Sequence, residues 1–324
     1  MSIQTVDKPR SGTFLTHVET LTTTCTPPFD FDLSAMIFSK GDASIRKYQD
    51  GKFWQVIRVD DSLILVTMKN LGTVDDPKIT VELRSSHKIS ETDKEKIKQT
   101  VSVMLNLDLD LKPFYEQTKK DKILSDITQR LRGLKTPTTP TVFEALIDSI
   151  TEQQISLNVA HALERKLIKT FGKALRMNGE VYYAYPMPRE LASAKIRQLR
   201  RCGLSQKKAE YISAVSKMIA DGKLDLEGFK QYDDAQKIIS ELDKIRGIGV
   251  WTAELTITRG MHKLDVVPAD DLGLKRIISH YYCHDEKISG IEARKLAERW
   301  GKWKGLAAFY LIVANAMERM LETH

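Results

Sequence analysis

The sequence predicts an α+β protein in which a small N-terminal antiparallel sheet domain with helices precedes an all-helical domain. Three observations lead to this fold class. Residues 29–84 contain short alternating runs of strand-forming residues. After residue 90, apolar residues recur at three- and four-residue intervals, which is typical of helices. A glycine hairpin at residues 245–253 joins two of these helical stretches. We place the domains at residues 1–112 and 113–324.

Composition narrows the class of protein without identifying it. The chain has 324 residues, enough for two domains with substantial cores. Its net charge of +7 is compatible with a polyanionic partner. The three cysteines (Cys25, Cys202 and Cys283) are widely spaced, which predicts a reducing compartment and no disulfide framework. No apolar run suits a signal peptide or a membrane span. We therefore expect an intracellular protein without membrane association, in the cytoplasm or nucleoid, or in the nucleus of a eukaryote.

The N-terminal domain is predicted from strand and turn chemistry. An early strand is expected around residues 13–21. Residues 53–59 and 63–68 are rich in strand formers, and the two aspartates between them suit a turn. In residues 79–83 apolar and polar residues alternate, which predicts the last strand of the β region. Residues 90–106 then read as a helix with an N-cap at its start.

A polar interruption marks a corner near the start of the helical domain. Apolar residues from 143 to 155 follow one helical face, but Glu152, Gln153 and Gln154 break it. A second helix over residues 157–171 follows. The pattern predicts two helices joined at a tight turn around Gln154.

Two lysines occupy an unusual place further along. Ser205 is a predicted N-cap for a helix over residues 206–220, and Lys207 and Lys208 fall in its first turn. The helix dipole disfavours positive charge at that end. The lysines therefore either lie on a solvated face or contact a phosphate group.

The glycine hairpin is the centre of the helical domain. Apolar residues from 235 to 245 follow one face of a helix, and residues 251–259 read as a second helix. Gly247 and Gly249 permit positive φ and leave the backbone free of side chains. A bare turn entering a helix N-terminus exposes amide groups to an anion. An ordinary helical hairpin with a glycine C-cap is the alternative.

The loop after the hairpin helix delivers two carboxylates to the start of another helix. Residues 264–269 are largely apolar, and Asp270 and Asp271 precede a predicted helix over residues 272–282 that carries Lys275. Aspartate at a helix start is commonly an N-cap. In one interpretation Asp271 is only this N-cap. In the other, Asp270 is the cap and leaves Asp271 available for chemistry.

The ordered motifs resemble a known family. They are FEALIDSITEQQISLNVAHAL, LRRCGLSQKKAEYI, RGIGVWTAELTITRG, DVVPADDLGLKRII and LAERWGKWKGLAAFYL. Together they resemble the helix-hairpin-helix DNA glycosylase superfamily, and most closely its 3-methyladenine DNA glycosylase II family. The chain has no C-terminal cluster of four cysteines, which argues against the iron–sulfur branch.

The resemblance implies a monomeric base excision repair enzyme. Such an enzyme flips a damaged base out of double-stranded DNA and hydrolyses its N-glycosidic bond, without a cofactor or a catalytic metal. The damaged bases that it implies are alkylated purines. The same machinery with hypoxanthine, uracil or oxidised-guanine specificity is one alternative. A non-catalytic protein that binds damaged DNA is the other.

The resemblance also assigns chemical roles to two residues. Asp271 matches the catalytic carboxylate, with Asp270 as the alternative if the alignment slips by one residue. Trp251 stands where bifunctional relatives carry a lysine that attacks the sugar. Tryptophan cannot form a Schiff base, so the resemblance implies hydrolysis by water without strand cleavage.

Other roles carried over from the family concern DNA binding. The hairpin that contacts the DNA backbone corresponds to Gly247, Ile248, Gly249, Val250 and Thr252. The wedge that fills the space of the flipped nucleotide is Gln154, or Ile155 if the register shifts. Tyr310 is a candidate pocket residue, and Trp251 either lines the pocket or only packs the hairpin. Lys207, Lys208 and Lys275 are candidate phosphate contacts on the grounds of charge and position, not of the resemblance. A structural monovalent cation is expected at the carbonyls of Ile245, Gly247 and Ile248.

Overall fold

The computed structural model describes residues 17–39 and 41–322. The strands of this part of the chain are β1 (His17–Thr24), β2 (Arg46–Gln49), β3 (Lys52–Val59), β4 (Ser62–Asn70), β5 (Lys78–Ser85), β6 (Ala174–Met177) and β7 (Glu180–Tyr183). The first seven helices are α1 (Phe31–Phe38), α2 (Glu91–Leu105), α3 (Lys112–Thr118), α4 (Lys122–Arg130), α5 (Val142–Glu152), α6 (Leu157–Phe171) and α7 (Pro188–Ala192). The later ones are α8 (Ile196–Arg201), α9 (Gln206–Ala220), α10 (Ala235–Asp243), α11 (Val250–Gly260), α12 (Leu272–Tyr282), α13 (Gly290–Ala297) and α14 (Lys304–Glu322). Short 3₁₀ segments cover Glu227–Gln231 and Glu298–Trp303.

The N-terminal part is a five-stranded sheet with neighbouring strands antiparallel, in the order β1-β5-β4-β3-β2. Val59 pairs with Ser62, so the two predicted turn aspartates connect β3 to β4. Ser90 caps α2 and forms a reciprocal capping box with Asp93. One face of the sheet packs on α1 and α2 around a core that includes Phe53 and Val101. The predicted sheet domain with helices is confirmed. The part of the early strand before His17 lies outside the described residues.

The larger part is mostly helical and contains two apolar cores. One core gathers residues of α5, α9, α10 and α11, and the other gathers α3, α4, α12, α13 and α14. Helices α5 and α11 approach closely at Gly260, where an added Cβ would lie 3.0 Å from Ala145 Cβ. No helix among the described residues combines the length and the apolar character needed to cross a bilayer.

The hairpin formed by β6 and β7 is a feature that the sequence did not predict. Leu175 and Met177 pack on Val56 and Leu65, on the side of the sheet away from its helices. The Tyr183 N–H donates to the Ser44 carbonyl at 2.7 Å. The region predicted to be all-helical therefore contributes two strands that attach it to the N-terminal sheet. The domain division after residue 112 stays a prediction.

Candidate active site

The glycine hairpin joins α10 to α11, and its two glycines differ in their surroundings. Gly247 has φ +92°, and an added Cβ would lie 2.3 Å from the Tyr211 ring. Gly249 is the N-cap of α11, and an added Cβ would have no other heavy atom within 4 Å. Ile248 is buried. The turn is thus anchored on the inside by Ile248 and Tyr211, and its backbone is open at Gly249.

A glutamine ties this hairpin to the corner between α5 and α6. Gln153 Nε2 donates to the Gly247 carbonyl at 2.9 Å and to Thr252 Oγ1 at 3.0 Å. Thr252 is buried and its hydroxyl contacts Gln153, so the hydroxyl is not available to a phosphate. The corner and the hairpin therefore form one unit.

The corner exposes both predicted wedge residues. Gln154 is exposed and has φ +56°, in the left-handed region that a residue with a Cβ rarely adopts. Such a backbone costs on the order of 1 kcal/mol and is often found at functional sites. Ile155 is 36% exposed, and the apolar side chains of Leu157 and Val159 are also exposed. Gln154 and Ile155 both remain candidates for the wedge.

The predicted catalytic aspartate contacts both the hairpin helix and its own helix. Asp271 is the N-cap of α12, and its Oδ1 accepts from the Leu274 N–H at 2.9 Å. Its Oδ2 accepts from Trp251 Nε1 at 3.1 Å. Of the two alternatives for the cap, the structure therefore supports Asp271 and not Asp270. Carboxylate oxygens carry about two lone-pair sites each, so Asp271 keeps acceptor capacity on both oxygens.

Asp270 has a different partner, although it is adjacent in sequence. Its Oδ2 lies 3.6 Å from an Arg294 guanidinium nitrogen on α13, and most of its side chain is exposed. An added Cβ at Gly290 would lie 1.9 Å from Asp270 Oδ1, so this carboxylate packs against the first residue of α13. Asp270 thus attaches the loop to α13, while Asp271 attaches it to α11.

Two predicted site residues are not available for the roles expected of them. Tyr310 is 0% exposed and donates to the Leu134 carbonyl at 2.7 Å, while its ring packs on Phe114, so a base cannot reach it. Lys208 is buried, and its Nζ donates to the Thr151 carbonyl at 2.9 Å. Burial lowers the pKa of Lys208. Tyr310 as a pocket residue and Lys208 as a phosphate contact are therefore wrong predictions.

The remaining predicted contacts are compatible with their positions. Lys207 is exposed at the start of α9, and Lys275 is half-buried one turn after Asp271. Of the three carbonyls expected to bind a cation, that of Gly247 already accepts from Gln153 and that of Ile245 accepts from the Ile248 N–H at 3.0 Å. Each of these two oxygens keeps one lone pair. The cation therefore stays a prediction, and no catalytic step below depends on it.

Comparison with known proteins identifies the family. The model of the HhH-GPD superfamily of base excision DNA repair proteins matches residues 147–302. The DNA-3-methyladenine glycosylase of Bacillus subtilis (strain 168) is 32% identical over 231 residues, which cover 71% of this chain and 75% of that protein. This chain belongs to the helix-hairpin-helix DNA glycosylases, in the 3-methyladenine DNA glycosylase family.

Solved structures agree with this helix-hairpin-helix glycosylase assignment. The 3-methyladenine DNA-glycosylase from Archaeoglobus fulgidus superposes with a TM-score of 0.80 at 27% identity, covering 90% of this chain and 97% of that one. The Clostridium acetobutylicum 8-oxoguanine glycosylase/lyase in complex with double-stranded DNA gives a TM-score of 0.72 at 19% identity, over 90% of this chain and 93% of that one. At that identity the second likeness concerns the fold alone. Both comparisons extend over the N-terminal sheet as well as the helices.

Sequence reasoning missed three residues that shape this glycosylase's site. The sequence does single out Gln153, because it lies where polar residues interrupt the apolar face of α5. The hairpin that it contacts, however, is 94 residues away. Tyr211 carries no local signal for its position against Gly247. Arg294 was visible only as an early basic residue of α13. Each acts through a partner on another element, which periodicity does not reveal.

Proposed function

We propose that this protein is a monofunctional DNA glycosylase of base excision repair. It hydrolyses the N-glycosidic bond of damaged bases, in the first place alkylated purines, that have been flipped out of double-stranded DNA. Family membership supports the reaction class. The observation that carries the assignment to this site is the hydrogen bond from Trp251 to Asp271, which holds a carboxylate beside the helix that follows the hairpin.

The chemistry required of Asp271 is electrostatic. As the base departs, the deoxyribose develops positive charge and resembles an oxocarbenium ion. A carboxylate held close to the sugar stabilises this charge and orients the attacking water. Preorganised groups of this kind contribute about 3–4 kcal/mol each. Because the duplex hides the glycosidic bond, the nucleotide must first be extruded.

Trp251 determines what becomes of the sugar. Its indole has no amine with which to attack C1′ of the deoxyribose, so water is the nucleophile and the product is an abasic site. The indole N–H instead donates to the carboxylate at 3.1 Å. Trp251 thus orients the Asp271 carboxylate and does not attack the sugar.

DNA binding is proposed for the unit formed by the corner and the hairpin. At Gly249 the backbone is open, and the first amides of α11 together with the helix dipole suit a phosphate. Gln154, in its left-handed turn, is the proposed wedge. Lys207 and Lys275 are the proposed phosphate contacts. Electrostatic binding of this type weakens steeply as the salt concentration rises.

The test is a panel of duplexes that each carry one lesion: an alkylated purine, hypoxanthine, uracil or oxidised guanine. We expect the fastest excision on the alkylated purine. Excision only of another lesion would replace the substrate class, and tight binding of all duplexes without excision would support the non-catalytic alternative.

Two neighbouring variants test the catalytic assignment. Asp271→Asn removes the charge while asparagine remains a good N-cap, so we expect excision to fall by about 100-fold or more with DNA affinity retained. Asp270→Asn should lower the rate much less. Undiminished turnover by Asp271→Asn would refute the role of Asp271, and a greater loss in Asp270→Asn would transfer the role to Asp270.

A further inference from the structure

Arg294 bridges the hairpin helix and the loop that carries the two aspartates. From α13, its NH1 donates to Glu254 Oε1 at 2.7 Å and to the Val267 carbonyl at 3.4 Å. Its NH2 lies 3.6 Å from Asp270 Oδ2. One guanidinium thus contacts the loop at two places and α11 at one.

Glu254 is the buried end of this bridge. It lies on α11 one turn after Trp251 and is 1% exposed. Its Oε2 has no hydrogen-bond partner among the described residues. Burial raises the pKa of Glu254, and the Arg294 charge opposes that rise. Only the Glu254 end of the ion pair is buried, because the Arg294 side chain is 38% exposed. Burying a carboxylate costs free energy unless it is paired and hydrogen-bonded, and here Arg294 supplies that partner.

The loop also packs directly on α13. Gly290 is the first residue of α13, and a side chain there would collide with Asp270, since an added Cβ would lie 1.9 Å from its Oδ1. Arg294 follows Gly290 by four residues, so both lie on the same side of the helix. The end of the loop is thus held between Gly290 and the guanidinium group.

We propose that Glu254 and Arg294 are positioning residues that hold the loop of residues 266–271 at a fixed distance from α11, and so place the Asp271 carboxylate at Trp251. The proposal rests on the proposed function, because it concerns the placement of the same carboxylate. Trp251 contacts Asp271 directly, and Glu254 holds the preceding loop through Arg294. Helix α11 then sets the distance between a phosphate at its N-terminus and the carboxylate under the sugar.

The test removes the bridge without leaving an unpaired buried charge. In the double variant Glu254→Gln and Arg294→Met, we expect single-turnover excision to fall by about 10- to 100-fold, because a misplacement near 1 Å has consequences of that size. DNA affinity should be retained. The matched control is Arg58→Met with Glu190→Gln, which removes an ion pair of 3.0 Å between β3 and α7. We expect the control to lower the melting temperature without changing the rate.

A second measurement does not depend on activity. The protein has four tryptophans, so nitrogen-15 labelling gives four indole N–H resonances, and the one lost in Trp251→Phe identifies Trp251. We expect this resonance to move in the double variant toward its position in Asp271→Asn, and to stay in place in the Arg58 control.

The outcomes separate this proposal from the proposed function. A double variant with wild-type rate and an unmoved Trp251 resonance overturns the positioning role, whatever its melting temperature. A rate loss accompanied by an equal loss in the control overturns it as well, because both would then report instability. If the wild-type protein excises no base at all, the proposed function fails, and the Trp251 resonance still decides whether Arg294 places Asp271.

Discussion

The hydrogen bond between Trp251 and Asp271 leads to a specific prediction for Trp251→Phe. This substitution keeps an aromatic ring, although a smaller one, and removes the N–H donor, which lies 3.1 Å from Asp271 Oδ2. A hydrogen bond to a charged group is worth about 1.5–3 kcal/mol. If that energy is used to orient the carboxylate in the transition state, the excision rate falls by about 10- to 150-fold.

The measurement is single-turnover excision with enzyme in excess, on the duplex that the lesion panel identifies as the best substrate. Affinity for a duplex with an abasic-site analogue is measured at the same salt concentration. A decrease in rate with unchanged affinity would place the loss in the chemical step.

Trp300→Phe is the matched control. Trp300 Nε1 also donates to a carboxylate, that of Asp121, at 3.3 Å, but it lies in the second helical core. We expect that variant to be less stable and to excise at the wild-type rate. If Trp251→Phe excises as fast as the wild-type protein, Asp271 does not depend on the indole, and the reasoning from this contact is wrong.

Four further predictions follow from the sequence and the structure. The wild-type protein should give little strand cleavage without added base or heat and no borohydride-trapped adduct; a trapped complex would identify a lysine nucleophile despite Trp251. Gly247→Ala should lower the free energy of unfolding by more than about 1 kcal/mol in denaturant titrations, because φ is positive and the Tyr211 ring occupies the space. Gly249→Ala should leave stability unchanged but weaken DNA binding, and wild-type affinity in that variant would contradict a phosphate site there. Burial lowers the pKa of His262, so its stabilising contribution is complete above pH of about 6.5 and is lost as the pH falls through the folded-state pKa. His262→Gln should therefore flatten the decline of stability in acid, as thermal melts across pH would measure.

Local signals account for what the sequence predicted correctly. Ser90 and Ser205 cap their helices as expected, because capping depends on residues within one turn. The hairpin could be predicted for the same reason, because its two glycines lie within a turn of very few residues. In the structure Gly247 does have φ +92°. The motifs also led to Asp271 as the catalytic carboxylate. Its contact with Trp251 is compatible with that role, which stays a prediction.

The errors concern partners that lie far away in the sequence. Tyr310 was taken for a pocket residue, but its hydroxyl binds the carbonyl of Leu134, 176 residues away. Lys208 was taken for a phosphate contact, but it donates to Thr151 at the end of α5. A helical wheel shows which face of a helix carries such a residue. It does not show whether another helix or loop covers that face. The strands β6 and β7 were missed because four residues are too few for a periodic pattern.

Because Tyr310 is buried, any attraction between an aromatic ring and an alkylated purine has to come from another residue. These bases are cationic, and an electron-rich ring face attracts a cation by about 0.5–2 kcal/mol. Tyr310 lies in the core, whereas Trp251 stays partly exposed. The electropositive edge of an aromatic ring carries its N–H, and in Trp251 that N–H donates to Asp271, so this contact does not occupy the ring face. The carboxylate beside the ring adds further attraction for a cation. For a neutral base such as hypoxanthine, only the stabilisation of the sugar cation by Asp271 would lower the barrier to excision. We therefore expect the Trp251–Asp271 pair to favour cationic bases even without a pocket lined with several aromatic rings.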